Sequence, residues 1–425
     1  MPSTFVILGA IGDLTSRYLM PALGELADRR ELSDDLRVVG VARHDLDDAE
    51  FRERLRADAP GEVGPGFAAV LDRTSYIEGD ATDPDLLDQL CRDEGDDPVL
   101  VYLALPPAVF DDSIAAIAKT RWADRVRLGI EKPFGEDLDG ARHLNEVLHQ
   151  HLRPEQVYRI DHFLHQTLSR RLPALRRSAL LSSLWASGDI ENLDLVWDET
   201  IALEGRAGYY DDTGALVDMV QNHLLQLLAV LTMDLPDDDD PGSLAAARHE
   251  VLRRLEADPA RSVRARYTAG TIDGSSVPAY VDEDGVEASR ETETFTSVPL
   301  LIDDSRWRHT AVRLRTGKAL DADRRFVRVG LRGGDEVVFG IDPLTLGLTV
   351  DGAGLAAPVA TDRPSPYAGV VREMLAGERA WFVSGPEAEE QWRVVTPVLE
   401  AWGSGRPELA EYRAGSAGPE VDAGV

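Results

Sequence analysis

Two segments of this 425-residue chain each carry an aspartate and a histidine: RIDHFLHQ holds Asp161 and His162, and ALVDMVQNHLLQLL holds Asp218 and His223. A carboxylate on one imidazole nitrogen fixes the tautomer and supports positive charge as the other nitrogen takes a proton, so two such segments, once converged, can make a general base. Taken alone, His223 reads as a buried structural histidine rather than as a base. In VYLALPP followed by RLGIEKPFG, Lys132 and Pro133 close an apolar run, at the kind of strand end where doubly wound sheets bind ligands. A cation there can touch both a cofactor ring and a substrate hydroxyl; the alternative is a surface lysine. FVILGAIGDLTSRYLMPAL sets Gly9, Ala10, Gly12, Asp13 and Leu14 between a strand and a helix. Glycines at such a turn let backbone approach a pyrophosphate while the helix N-terminus supplies N–H groups and dipole. The segment lacks a full GxGxxG and would also serve as a plain tight turn, but its position opening a βαβ unit favours a dinucleotide. Arg43, in GVARHD after the second apolar run, stands where NAD enzymes often carry an acid and where an arginine can pair with a 2′-phosphate, favouring NADP over NAD. A solvated arginine is the other reading.

These residues need elements to hold them. Apolar runs at 5–8, 38–41, 99–105 and 126–130 are short and bounded by turn residues, as buried parallel strands are. Between them LMPALGELADRR, AEFRERLRADA and LLDQLCRDEG space apolar residues by three and four, which predicts helices covering the sheet. Residues 1–155 are therefore expected to form an α/β dinucleotide-binding domain, a Rossmann-like doubly wound sheet. Residues 156–425 are expected to form a larger α+β domain for substrate binding and oligomerisation. Strand patterns there follow one another at 193–197, 262–267, 292–302, 311–314, 326–329 and 337–341, which predicts a mainly antiparallel sheet. Helices are expected at about 213–232, 243–256 and 386–401, the acidic stretch 235–242 as a loop, and the tail from 403 as a frayed end.

The composition narrows the function classes. A formal charge of -31 and a pI near 4.6 exclude nucleic acid or an anionic membrane as the main partner, since phosphate would be repelled. An anionic substrate needs a locally basic pocket. Such an acidic surface predicts salt adaptation, because at about 1 M salt the Debye length is about 3 Å and self-repulsion is screened. Only three of the 45 basic residues are lysines, Lys119, Lys132 and Lys318, an arginine excess that GC-rich coding alone would also explain. The single cysteine, Cys91, allows no internal disulfide, and neither a CxxC pair nor a His/Cys cluster offers a metal site. No run of about 18 apolar residues stands out and no basic leader precedes FVILGA, so a cytoplasmic, unexported protein without bound metal is expected.

GAIGDL, YLALPP, EKPFG, RIDHFL, GRAGYYDDTGALVDMVQNHLLQLL, TETF, RTGKAL and AWFVSGPEAEEQWRVVTPVLEAW follow one another as in glucose-6-phosphate dehydrogenases, which the chain resembles over essentially its whole length. The resemblance implies oxidation of glucose 6-phosphate at C1 to 6-phosphogluconolactone in the pentose phosphate pathway, with hydride transfer to NADP or, alternatively, NAD. It makes His223 the base and Asp161 its carboxylate partner, sets Lys132, Glu199, Asp218 and Lys318 at sugar-contacting positions, and sets His162 at the 6-phosphate. It also implies a homodimer or homotetramer associated through the second-domain sheet. Where the family usually reads DHYLGK this chain reads Asp161-His162-Phe163-Leu164-His165-Gln166, so Gln166 takes the place of a phosphate-binding lysine; Tyr18 replaces another lysine. Arg170 and Arg171 are the candidates to compensate, with His165 helping at lower pH. The alternatives are C1 oxidation of an unphosphorylated or other aldose, and a non-catalytic regulatory homologue.

Overall fold

Short apolar runs become parallel strands when helices cover both faces of the sheet, and the first half of the chain is built this way. A computed structural model describes residues 2–61, 64–91, 97–203, 207–237, 240–360 and 362–421. Strands β1 (Thr4–Leu8), β2 (Arg37–Ala42), β3 (Thr74–Glu78), β4 (Val99–Leu103), β5 (Val126–Glu131) and β6 (Val157–Ile160) form a parallel sheet in the order β3-β2-β1-β4-β5-β6. That order reverses direction between β1 and β4, the switch point at which doubly wound sheets open a crevice. Four of these strands lie on the expected runs. β3 and β6 do not, because TSYIE and VYRI break the apolar pattern, as edge strands with a single neighbour can.

Three helices follow the expected stretches: Met20–Asp28, Asp48–Asp58 and Pro84–Leu90. Asp47 and Glu50 form a reciprocal capping box at the second, and Asp83 caps the third. Part of the third expected stretch (92–95), part of the acidic stretch (238–239) and the last four residues lie outside the described residues.

By its contacts the chain divides into two compact units. Unit one comprises Met1–His165, Asp238–Ala245 and Asp362–Ala388; unit two comprises Gln166–Asp237, Ala246–Thr361 and Glu389–Val425. The distant segment belongs to unit one because helix Pro366–Ala376 buries Ala368, Val370, Val371 and Met374 in one core with Phe5, Ile7, Tyr102 and Ile160. Burying each of the larger side chains contributes about 1.5–3 kcal/mol.

Unit two carries a mixed, mostly antiparallel sheet. Its strands are β7 (Ile190–Asp198), β8 (Leu255–Ala257), β9 (Val263–Thr268), β12 (Phe295–Ile302), β13 (Ala311–Gly317), β14 (Arg324–Leu331), β15 (Glu336–Gly340), β16 (Thr345–Val350), β17 (Ala353–Pro358) and β18 (Ala410–Arg413). β10 (Gly270–Ile272) and β11 (Ser275–Val277) pair separately as a hairpin. The large sheet runs β17-β16-β15-β14-β7-β13-β12-β9-β18, with β8 on β12; β7/β13 and β9/β18 are parallel and the rest antiparallel. The tail differs from the expected frayed end. β18 adds to the sheet, and its Tyr412, 6 % exposed, donates to the Lys318 carbonyl at 2.7 Å. One inward aromatic in the polar run AEYR carries too little alternation to announce a strand.

Helical segment Tyr210–Thr232 is long and apolar enough to cross a membrane, and 89 % of its most apolar window is buried inside the protein. A helix apolar all round is a core helix. Asp218, Asn222 and His223 interrupt its apolar character in the sequence.

Candidate active site

Unit one presents its candidate cofactor residues at the C-terminal ends of β1 and β2. Gly9 has φ +86°, a conformation that L side chains rarely adopt, and a Cβ there would lie 2.2 Å from the Ala104 carbonyl oxygen. The N–H groups of Gly9 and Ala10 donate to the Val41 carbonyl at 2.9 and 3.2 Å, closing the turn. Gly12 and Asp13 follow, exposed, and Leu14 opens the helical stretch Thr15–Asp28. A cavity of about 370 Å³ is lined by Gly9, Ile11, Arg43, His44, Asp80, Thr82, Leu105 and Pro106. Its glycine backbone, apolar walls and arginine rim fit the nucleoside part of a dinucleotide. Sequence reasoning missed Asp80, which follows the overlooked β3. Its carboxyl is held below the usual range by the Thr82 backbone N–H and hydroxyl, at 2.9 and 2.8 Å, and by the charge of Arg43.

β5 ends on Glu131, and Lys132 follows it. Glu131 accepts hydrogen bonds from the Tyr102 and Tyr367 hydroxyls. Burial raises its carboxyl to about 7; those hydroxyls and the Lys132 charge oppose the rise, and Asp161 adds to it. Asp161, 1 % exposed, accepts the Phe163 N–H at 2.9 Å and so shapes the turn His162–His165. The His162 ring stacks on Tyr367, with centroids 5.5 Å apart and planes at 17°. His165 departs from the expectation that it helps with phosphate. It is 5 % exposed, faces Glu373 at 3.8 Å and packs edge-on against Phe382.

In unit two the structure brings Glu199 and Lys318 together. Glu199 follows β7 and Lys318 follows β13, two paired parallel strands, and their side chains meet at 2.8 Å. The Lys318 ammonium lies 5.3 Å from the ring centroid of Tyr210, whose hydroxyl is buried without a hydrogen-bond partner among the described residues. Burial first, then the charges of Asp218 and Glu293, push the Tyr210 phenol well above its ordinary range. Sequence reasoning missed both Tyr210 and Glu293, although they sit inside the quoted GYYDD and TETF strings.

Asp218 and His223 share a helical segment of unusual pitch. Five positions along an α-helix turn about 140° away from the starting face. Leu216–Leu224 is π-helical, and its i to i+5 bonding brings residues five apart back towards one side. Asn222 bonds the Val217 carbonyl at 2.9 Å, and its own side-chain oxygen accepts the His223 N–H at 2.6 Å. His223 is 1 % exposed and Asp218 half-buried. Gly214, at φ +68°, breaks the helix just before this segment, where a Cβ would lie 2.6 Å from the Glu293 carboxylate. Glu293 accepts the Leu216 N–H at 2.8 Å and so caps the new helix start. Gln166 stands at the start of helix Thr167–Arg177, which also carries the partly exposed Arg170 and Arg171.

Family models cover both halves of the chain. The glucose-6-phosphate dehydrogenase NAD-binding domain matches residues 6–169, and the glucose-6-phosphate dehydrogenase C-terminal domain matches 174–350 and 346–424. The chain belongs to the glucose-6-phosphate dehydrogenase family. A glucose-6-phosphate 1-dehydrogenase of Gluconobacter oxydans is 31 % identical over an alignment covering 99 % of this chain and 95 % of that protein. A glucose-6-phosphate dehydrogenase solved in complex with its substrate superposes with a TM-score of 0.89 at 27 % identity, covering 99 % of this chain and 96 % of that one. The Mycobacterium avium enzyme superposes at 0.86 and 33 % identity, with the same coverages. The family is one of nicotinamide-dependent oxidoreductases, in keeping with the Rossmann-like sheet and the cavity beside Gly9.

Proposed function

We propose that this family member oxidises glucose 6-phosphate at C1 to 6-phosphogluconolactone, the entry step of the pentose phosphate pathway, in the cytoplasm and with NADP as the preferred hydride acceptor. The observation that carries this reading is the full-length family match together with a buried His223 on a π-helical turn that it shares with Asp218. His223 takes the C1 hydroxyl proton as general base, and Asp161 is assigned the support of the resulting imidazolium. Lys132, Glu199, Asp218 and Lys318 hold the sugar, the last as a compact ammonium already oriented by Glu199. His162 meets the 6-phosphate, with Gln166 beside it in the motif. When bound, the nicotinamide accepts the hydride at C4. Gly9, Ala10, Gly12, Asp13 and Leu14 form the turn and helix start assigned to the pyrophosphate, Lys132 is assigned to the nicotinamide end as well, and Arg43 is assigned to the 2′-phosphate. Residues 1–155 are assigned to dinucleotide binding, and 156–425 to substrate binding and to oligomerisation as a homodimer or homotetramer.

Tyr18, Phe163 and Gln166 remove groups that the family uses near phosphate, which favours a free aldose as the second reading. Arg170 and Arg171 are the proposed compensation. The purified protein, given NADP or NAD and a panel of sugars at low and high salt, should reduce the nicotinamide fastest with glucose 6-phosphate and NADP, read by near-ultraviolet absorbance. No reduction with any aldose would remove the assignment. A kcat/KM ratio for glucose 6-phosphate over glucose above about 100, collapsing on Arg170→Ala or Arg171→Ala, supports compensation by arginine. A ratio near one or below makes the chain a free-aldose dehydrogenase.

A further inference from the structure

Tyr18 stands where the family carries a lysine, yet the structure gives this 48 % exposed phenol a specific partner. Its ring packs on Tyr367, with centroids 5.0 Å apart and planes at 39°. The Tyr367 hydroxyl donates to Glu131, which also accepts from Tyr102. Tyr367 in turn stacks on His162 at 5.5 Å and 17°, while Phe163 meets the same imidazole edge-on at 5.2 Å and 73°. All these residues lie in unit one. The result is a run of ring contacts, Tyr18 to Tyr367 to His162, anchored by Glu131.

A partly exposed histidine that must contact a ligand loses rotamer freedom on binding, and that loss weakens the contact unless the ring is already held. Aromatic pairs of this geometry hold a ring by about two- to tenfold in its equilibrium. We propose that Tyr18 and Tyr367 are positioning residues for recognition of the substrate phosphate: they pre-orient His162, so that the chain recovers by order part of what it lacks in charge at Tyr18. The inference rests on the reading of His162 as the phosphate contact. It gives a partly exposed tyrosine at a cation's position a function, and it makes Tyr18 a determinant of phosphorylated over unphosphorylated sugar.

The test is the ratio of kcat/KM for glucose 6-phosphate to that for glucose, measured on folded variants with melting temperatures recorded. Tyr367→Leu is expected to lower the ratio about tenfold and Tyr18→Ala about threefold, from loss of the stack. Tyr18→Phe, which keeps the ring, restores the ratio. Tyr367→Phe, which keeps the stack but loses the Glu131 bond, falls between. In a His162→Ala background, Tyr18→Ala has no further effect on the ratio, because its influence passes through the missing imidazole. If His162→Ala itself leaves the ratio unchanged, the reading of His162 fails and takes the inference with it. If His162→Ala lowers the ratio while Tyr18→Ala and Tyr367→Leu leave it alone, or while Tyr18→Ala lowers it equally in both backgrounds, the positioning role is overturned and the His162 reading stands.

Discussion

His223 is 1 % exposed and its neighbour Asn222 accepts the His223 backbone N–H, so the imidazole is carried by a fixed piece of backbone. A base held this way contributes to the chemical step and not to cofactor binding. His223→Asn is therefore expected to lower kcat by several orders of magnitude while the dissociation constant for NADP, measured by fluorescence titration, stays near the wild-type value. Wild-type turnover in the variant would remove His223 from the mechanism. Arg43 makes the complementary case. Exposed at the rim of the cavity beside Gly9, it can distinguish the two cofactors only through the 2′-phosphate. Arg43→Ala should raise KM for NADP by about one to two decades, the worth of a charge-assisted bond, and KM for NAD little. Equal losses would make Arg43 a loop-holding residue.

At the scale of elements, the helix bearing Asp218 and His223 starts in the interior, and its first N–H groups need a partner there. Glu293 supplies one, at the cost of a carboxyl that burial raises to about 7 from an ordinary 4.5, against the opposing bonds from Leu216 and Ala215 and the charge of Arg264 on β9. A carboxyl with a raised folded value binds its proton more tightly folded than unfolded. Its contribution is fully present below about 4.5 and is lost as pH rises through about 7, the reverse of the usual salt-bridged carboxylate. Glu293→Gln keeps an acceptor for the Leu216 N–H and removes the titration. Urea melts of the variant should show a flatter loss of stability between about pH 5 and pH 8, by up to about 3 kcal/mol. A variant whose stability slopes as steeply as the wild type would show that Glu293 does not titrate there.

For the whole molecule, the charge of -31 spreads over 425 residues and mutual repulsion opposes the folded state. The melting temperature and the activity are expected to rise between about 0.1 and about 2 M KCl as the Debye length shortens. A flat or falling profile would return the acidity to a coding bias. Val350 and Leu355, on β16 and β17 at the margin of the unit-two sheet, are 52 % and 71 % exposed, apolar positions of the kind that associate. Light scattering should give at least twice the 46.5 kDa chain mass, and Leu355→Asp should lower it. A wild-type chain that is monomeric at all salt concentrations would remove the proposed oligomer.

The sequence by itself determined the strands that are continuous apolar runs, such as Thr4–Leu8 and Val99–Leu103, since five buried residues in a row between turns leave a chain few other solutions. It also singled out Lys132, Asp161, Asp218, His223 and Lys318 as candidates, because family motifs carry them in order. The tertiary structure alone decided what those side chains meet. Helix Pro366–Ala376 joins a core built some 200 residues earlier, since burial depends on shape in space and not on chain order. Tyr18, legible only as a missing lysine, became a ring on Tyr367. The Glu293 cap behind the π-helical turn that carries Asp218 and His223 is a hydrogen bond between residues 77 positions apart. No local pattern of residue types records a contact of that span.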